Sequence, residues 1–262
     1  MAAASPVTAR IEIDGAAATT DQLRALLLAG YGHFTAMQVR NRRVRGLDLH
    51  LARLDAANRE LFGPGLDGAQ VRAHIRHALG DDISDASVRV HVQEAPGGQS
   101  VMVTVRPPGG MPAGPWRLRS VPYQRSLAHI KHIGDFGQAY YQRLAHRSGF
   151  DEALLTGPDG IISEGAITNI GFFDGTGIVW PDAPALAGIT MQLLGRELAG
   201  HGLASRRAPV RLSDLGSFAA AFVTNARGIA PVGRIDDRAL PVDPALMSAL
   251  ARAYGSAPWT AL

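Results

Sequence analysis

The 262-residue chain has no cysteine, which excludes disulfides and thiolate metal sites and fits a reducing compartment such as the cytoplasm. No apolar run is long enough to span a bilayer, and the opening MAAASPVTARIEIDG lacks the apolar core of a secretory signal, so no membrane role is expected. Aromatic residues make up only 6% of the chain, against a net charge of +3. The basic residues form no stripe interleaved with aromatics, which argues against a nucleic-acid partner and leaves small anions as the expected ligands. The most informative scarcity is of lysine. Of 26 basic side chains 25 are arginine, and Lys131 is the one lysine.

A guanidinium stays protonated and is a poor nucleophile, whereas an ε-amine that loses its proton in a desolvated site can condense with a carbonyl. A general drift toward arginine would also leave a stray surface lysine, with no function implied. The neighbours speak against that. Lys131 lies in AHIKHIGDF, residues 128–136, with Leu127, Ala128, Ile130 and Ile133 around it, and apolar company lowers an amine's pKa. Lys131 is therefore the candidate nucleophile.

The hydrophobic content of 46% with 19% charge describes a globular chain large enough for one big domain or two lobes. Alternation predicts strands at 8–13, His33–Val39, Arg43–Leu47, Val88–Gln93, Val101–Val105 and Trp116–Val121. It continues at 152–156, 161–165, 168–173, 177–180, Ala219–Thr224 and Gly228–Ile235. Turns are expected at Asp14-Gly15, at Pro96-Gly97-Gly98 and at Pro158-Asp159-Gly160. Helical spacing predicts Thr20–Leu28, a helix capped by Asp48 and running to Phe62, Gln70–Leu79, Gln138–His146, Met191–Gly200 and Pro244–Tyr254. The densest Pro/Gly stretch, RPPGGMPAGP, reads as a linker. The expected organisation is an α/β (α+β type) fold of two lobes: a small N-terminal lobe at 1–106, a linker at 107–115, and a larger strand-rich lobe at 116–262 carrying Lys131.

Several further residues could serve a site. Glu164 puts a carboxylate at a strand end among glycines, where an exposed residue is the ordinary outcome. Gly188-Ile189-Thr190 opens a helix, whose free N–H groups and dipole favour anions. Thr224-Asn225 before Gly228 offers hydroxyl and backbone donors in a tight loop. His50 and Arg53 share neighbouring faces of one helix, alone an ordinary half-exposed surface. Arg40, Arg42 and Arg43 at a hairpin tip, and Arg89 with His91 on a strand, are candidates for pairing with a carboxylate. Any of them would serve equally as plain surface charge.

In their order and spacing, HFTAMQV, HLARL, the lysine segment, DEALLTGPDGIISEGAITNIGFF, GITMQLL and FVTNARGIAPV make the chain resemble the class IV (fold type IV) pyridoxal-phosphate enzymes. These include branched-chain and D-amino-acid aminotransferases, (R)-amine transaminases and aminodeoxychorismate lyase. The resemblance runs from about Tyr31 to Val232. It implies that Lys131 forms the internal aldimine with pyridoxal 5'-phosphate and that Glu164 keeps the pyridine nitrogen protonated. It also implies that Arg53 clamps the phosphate, with Ile189, Thr190, Thr224 and Asn225 completing its cup. Thr168 and Asn169 match the polar pair bordering the cofactor. Where many members carry an Asn or Tyr after the lysine, this chain has Gly134, Asp135 and Phe136, so the resemblance names no partner for the cofactor's phenolic oxygen. The usual Gly-Asp-Gly-type approach to the first-lobe strand is replaced by Ala29-Gly30-Tyr31-Gly32-His33.

The implied function is an aminotransferase moving an amino group between an amino acid or amine and a 2-keto acid, without a metal, as a homodimer by analogy. A lyase of the aminodeoxychorismate type, releasing pyruvate, is the alternative within the family. From other classes come an arginine-rich nucleic-acid-binding or scaffold protein and a family member that has lost its chemistry.

Overall fold

The structure, a computed structural model, describes residues 10–95 and 98–262. The turn expected at Pro96-Gly97 and the start of the first strand lie outside them. By contact the chain divides into two units: Met1–Gly109 with Ile130–Gly134 and Pro258–Leu262, and Gly110–His129 with Asp135–Ala257.

The first unit is an antiparallel sheet. Strands β1 (Arg10–Ile13) and β2 (Ala16–Ala17) form its edge, and α1 (Thr20–Ala29) leads to β3 (Gly32–Arg40). Asn41 and Arg42, at φ 48° and 57°, turn the chain into β4 (Arg43–Arg45), as a two-residue hairpin requires. Helices α2 (Leu47–Phe62) and α3 (Gly68–Leu79) follow, then the hairpin β5 (Ala86–Ala95) and β6 (Gly98–Arg106). Alternation directs Val88, Val90, Val92, Val101, Val103 and Val105 into a core with Leu47, Leu54, Val71 and Ile75 of the helices. It sends Arg89 and His91 to the other face. Asp48 does not cap α2. The helix starts one residue earlier, behind a left-handed Gly46 with no side-chain cap, and Asp48 lies in the first turn, where a negative charge still suits the helix dipole.

The second unit contains β7 (Trp116–Val121), α4 (Phe136–Arg147), β8 (Glu152–Thr156), β9 (Ile162–Gly165), β10 (Asn169–Phe173) and β11 (Gly177–Pro181). It continues with α5 (Ile189–Glu197), a 3-10 turn at Leu198–His201, β12 (Ala204–Ala208), a second 3-10 turn at Leu212–Ser217 and β13 (Ala220–Asn225). Strands β14 (Gly228–Ile235) and β15 (Arg238–Ala239) and helix α6 (Pro244–Ser256) complete it. The strand order is β12-β11-β10-β13-β14-β7-β8-β9, with β15 on β14. Pairing is parallel at β11/β12, β14/β7 and β7/β8. One face packs Leu118, Leu154, Ile170 and Phe172. Phe222, Ile178 and Trp180 meet Leu194 of α5 and Leu246 and Leu250 of α6 in a second core.

Two short segments rejoin the first unit. The last strand, β16 (Trp259–Ala261), pairs with β4. The lysine segment runs along β3, with Phe34 N–H donating to Lys131 O at 2.8 Å and Ile133 N–H to Gly32 O at 3.0 Å. By these contacts Lys131 is counted with the first unit, whereas the sequence expectation grouped it with everything after the linker. No helix among the described residues is long and apolar enough to cross a membrane.

Candidate active site

In the first unit the lysine is placed by backbone pairing to β3, which brings Lys131 Nζ to 4.8 Å from the centre of the Phe34 ring. The same ring has His91 at 5.2 Å and the Arg89 guanidinium at 5.7 Å. Strand register explains the grouping: Phe34 lies opposite His91, and Ala36 opposite Arg89. An amine, a guanidinium and an imidazole thus gather on one aromatic side chain. Burial, then the charges of Arg89 and Arg106, lower the His91 pKa from 6.5 to about 4, so this imidazole is neutral at physiological pH. Its Nδ1 is buried and has no hydrogen-bond partner.

On the core face of β3, Thr35 links α2 to the sheet. The Arg53 Nη2 donates to Thr35 Oγ1, which is also hydrogen-bonded to His50 Nδ1 at 2.7 Å. Burial, and next the Arg53 charge, hold His50 well below 6.5. The Asn58 amide nitrogen donates to Pro64 O, so its Oδ1 accepts from His33 Nε2 at 3.3 Å. Burial pulls the Arg53 guanidinium from 12.5 to about 10, still a cation at neutral pH. Its Nε, shut off from solvent, has no partner.

In the second unit Glu164 is almost fully buried. Its Oε1 accepts from Arg125 Nη1 at 3.0 Å and its Oε2 from Leu186 N at 3.2 Å. The loop after it is held from two sides: Gln138 of α4 donates to Ala166 O at 2.7 Å, and Glu152 accepts from Ile167 N at 2.6 Å and Thr168 Oγ1 at 3.0 Å. Gly165 is required there, since a Cβ would collide with Thr168 Oγ1 and lie 2.6 Å from Glu152 Oε1. Glu152 is wholly buried. Desolvation chiefly, with a small push from Glu164, raises its carboxyl from 4.5 to about 7 against the pull of its hydrogen bonds.

Helix α5 begins at Gly188 with no side-chain cap, leaving the first-turn N–H groups free for an anion. A Cβ on Gly188 would collide with Asn169 Oδ1, so only glycine lets Asn169 approach this start while its amide donates to Leu186 O at 2.7 Å. Thr190 donates its hydroxyl proton to Asn225 O at 2.7 Å, so what this residue offers an anion is its backbone N–H. Thr224 Oγ1 is buried with no partner.

Among the described residues five buried side-chain polar atoms lack a partner, and three of them belong to residues chosen from the sequence: Arg53, His91 and Thr224. A buried orphan donor calls for a ligand or water to complete it. Arg40 and Arg42 are differently placed. Arg40 donates to Val39 O, Gly109 O and Gln38, and Arg42 to Gly80 O and Ile83 O; both brace the hairpin. His50, expected half-exposed, is buried, and so is Glu164. Sequence reasoning missed Arg125 and Glu152. No local signal marks Arg125 among 25 arginines, while Glu152 was legible only as the charged start of an apolar strand.

The profile of the class IV amino-transferases matches residues 32–235, and no curated protein matches the sequence. Among solved structures, the Escherichia coli branched-chain amino acid aminotransferase superposes with a TM-score of 0.83 at 17% identity, covering 95% of this chain and 94% of its own. The branched-chain aminotransferase of the thermophilic archaeon Thermoproteus uzoniensis, with norvaline, gives 0.81 at 19%, covering 94% and 95%. A hypothetical aminotransferase from Mycobacterium tuberculosis in its PLP-bound form gives 0.80 at 19%, covering 95% and 98%. At such identities these likenesses describe the shared fold type IV architecture.

Proposed function

Because the chain belongs to the class IV aminotransferase family, we propose that it is a pyridoxal-phosphate-dependent aminotransferase acting between an amino acid or amine and a 2-keto acid. The observation that carries this reading is the setting of the sole lysine, pinned to β3 and sharing the Phe34 ring with Arg89 and His91. Pyridoxal phosphate supplies an aldehyde for an amine and a ring that accepts electrons.

The protein's part follows residue by residue. Lys131 Nζ would bond the coenzyme's aldehyde carbon, and as a free amine it would be the base for the proton on the substrate carbon. Glu164 would accept a hydrogen bond from the N–H of the coenzyme ring. The resemblance assigns the phosphate to Arg53, Ile189, Thr190 and Thr224: Arg53 would offer its guanidinium, Ile189 and Thr190 their backbone N–H groups, and Thr224 its unclaimed hydroxyl. Asn225 serves through its carbonyl, which fixes Thr190. Thr168 and Asn169, each held by another protein group, give the border its shape. Arg89 and the neutral His91, which share the Phe34 ring with Lys131, would receive the substrate carboxylate, one by charge and one by an N–H. A cytoplasmic homodimer is proposed from the family alone.

Borohydride reduction of coenzyme-loaded protein followed by peptide mass spectrometry tests the assignment. The adduct is expected on Lys131, and Lys131→Ala is expected to lower turnover by on the order of a thousandfold or more. An adduct elsewhere, or none, overturns the reading. A panel of L- and D-amino acids, (R)- and (S)-amines and aminodeoxychorismate then fixes the substrate. Pyruvate release with no keto-acid requirement would assign the lyase.

A further inference from the structure

We propose that Arg125 is a positioning residue for the coenzyme ring: it holds Glu164 as an oriented anion, ready to accept an N–H from the ring nitrogen. The inference rests on the coenzyme reading above and adds to it a residue outside the matched motifs. Side-chain exposure is 4% for Arg125 and 6% for Glu164, with 3.0 Å between Nη1 and Oε1. A carboxylate so buried favours taking up a proton unless a cation and hydrogen bonds compensate. Glu152, itself buried, feels the Glu164 charge as a small upward push on its own carboxyl. The guanidinium lies on Glu164, while Glu152 accepts from the neutral Ile167 N–H and Thr168 hydroxyl.

The consequence at the ring follows from donor and acceptor counting. An ionised carboxylate is acceptor-only, with roughly four lone-pair sites for Arg125, Leu186 and a ring N–H to share. A protonated carboxyl would present an O–H and donate to an unprotonated ring nitrogen instead, weakening the ring as an electron acceptor. Arg125 is fixed for the task, since its Nε donates to Gln138 Oε1 at 3.0 Å and its Nη1 also to Ala128 O at 3.0 Å.

The test compares wild type, Arg125→Gln, Arg125→Lys, Glu164→Gln and the double variant Arg125→Gln/Glu164→Gln. Pyridoxal phosphate affinity is read by equilibrium dialysis, the bound coenzyme's absorption is followed against pH, and apo-protein melting is recorded. Arg125→Gln and Glu164→Gln should each weaken binding about tenfold and move the pH midpoint of the absorption band, while the double variant is no worse than Glu164→Gln, because one residue acts through the other. Multiplying effects in the double variant overturn the proposal, as does an unshifted band in Arg125→Gln. If Arg125→Gln does not fold, Arg125→Lys decides. It keeps the charge and gives up the planar fork, so a wild-type band with a lowered melting point supports the proposal and a shifted band overturns it. Wild type that binds no coenzyme overturns the functional reading itself. Wild type that binds through Lys131 while Arg125→Gln matches it overturns this inference alone.

Discussion

The two units bury polar groups by opposite means. The first sets a guanidinium, Arg53, beside imidazoles kept neutral by burial, His33 and His50. The second pairs a guanidinium, Arg125, with a carboxylate, Glu164, in direct contact. In the first unit the hydrogen bonds are ordered without a counter-ion, and the guanidinium retains an unsatisfied Nε for a ligand. In the second, the charge is matched inside the protein. One arrangement is suited to receive an anion and the other to present one.

Deleting each guanidinium should break this comparison most strongly. Arg125→Met leaves Glu164 buried without this cation and should cost the apo-protein about 3–5 kcal/mol. Arg53→Met removes a buried cation held by one hydroxyl, and should cost about 1 kcal/mol or less while abolishing tight coenzyme binding. Urea unfolding of the two apo variants checks this, and equal losses would mean that the units do not differ as described.

The opposed chemistry also gives opposed pH dependence. A histidine whose folded pKa is lowered contributes stability that is complete above its unfolded value near 6.5. For His91 it is lost as pH falls from 6.5 toward about 4. Glu152 is raised from 4.5 to about 7, so its contribution is complete below 4.5 and is lost as pH rises toward 7. Glu152→Gln mimics the protonated carboxyl, donating to Thr168 Oγ1 and accepting from Ile167 N. It should be near neutral at pH 4.5 and more stable than wild type above pH 7 by roughly 3 kcal/mol. Denaturant titrations at the two pH values measure it, and a gain that does not grow with pH would place Glu152 ionised throughout.

Much of the fold was legible because hydrophobic period reports burial. Alternation gave β7 at Trp116–Val121 to the residue, and the leucines of α2 fall near their expected face. The start of α5 was readable because Gly188 precedes an apolar helical stripe. Groups paired across long sequence separations were not legible. Arg125 and Glu164 are 39 residues apart, and a buried ion pair looks in sequence like two surface charges. The return of Trp259–Ala261 to β4 was hidden for the same reason: three residues carry too short a pattern to choose a partner. Thr190 was expected at an anion site, but Asn225 O takes its hydroxyl proton, and which acceptor wins depends on tertiary distance.

The two threonines separate the units most cleanly. Thr35→Val removes the hydroxyl that accepts from Arg53 and is hydrogen-bonded to His50. Two groups lose a partner, so the loss should be about 1–3 kcal/mol. It should stay constant from pH 6.5 to 8, because His50 is neutral throughout. Thr168→Val removes a donor to Glu152. Near pH 5 the carboxyl is protonated and the lost bond is an ordinary neutral one of about 1 kcal/mol. Above pH 7 it is ionised, and a charge-assisted bond is about twice as strong, so the loss should roughly double across that range. Thr35→Ser and Thr168→Ser, which keep the hydroxyls, should restore most of each loss. A flat profile for Thr168→Val would mean that Glu152 does not change charge between pH 5 and 8. A sloped one for Thr35→Val would mean that the imidazole beneath Arg53 does.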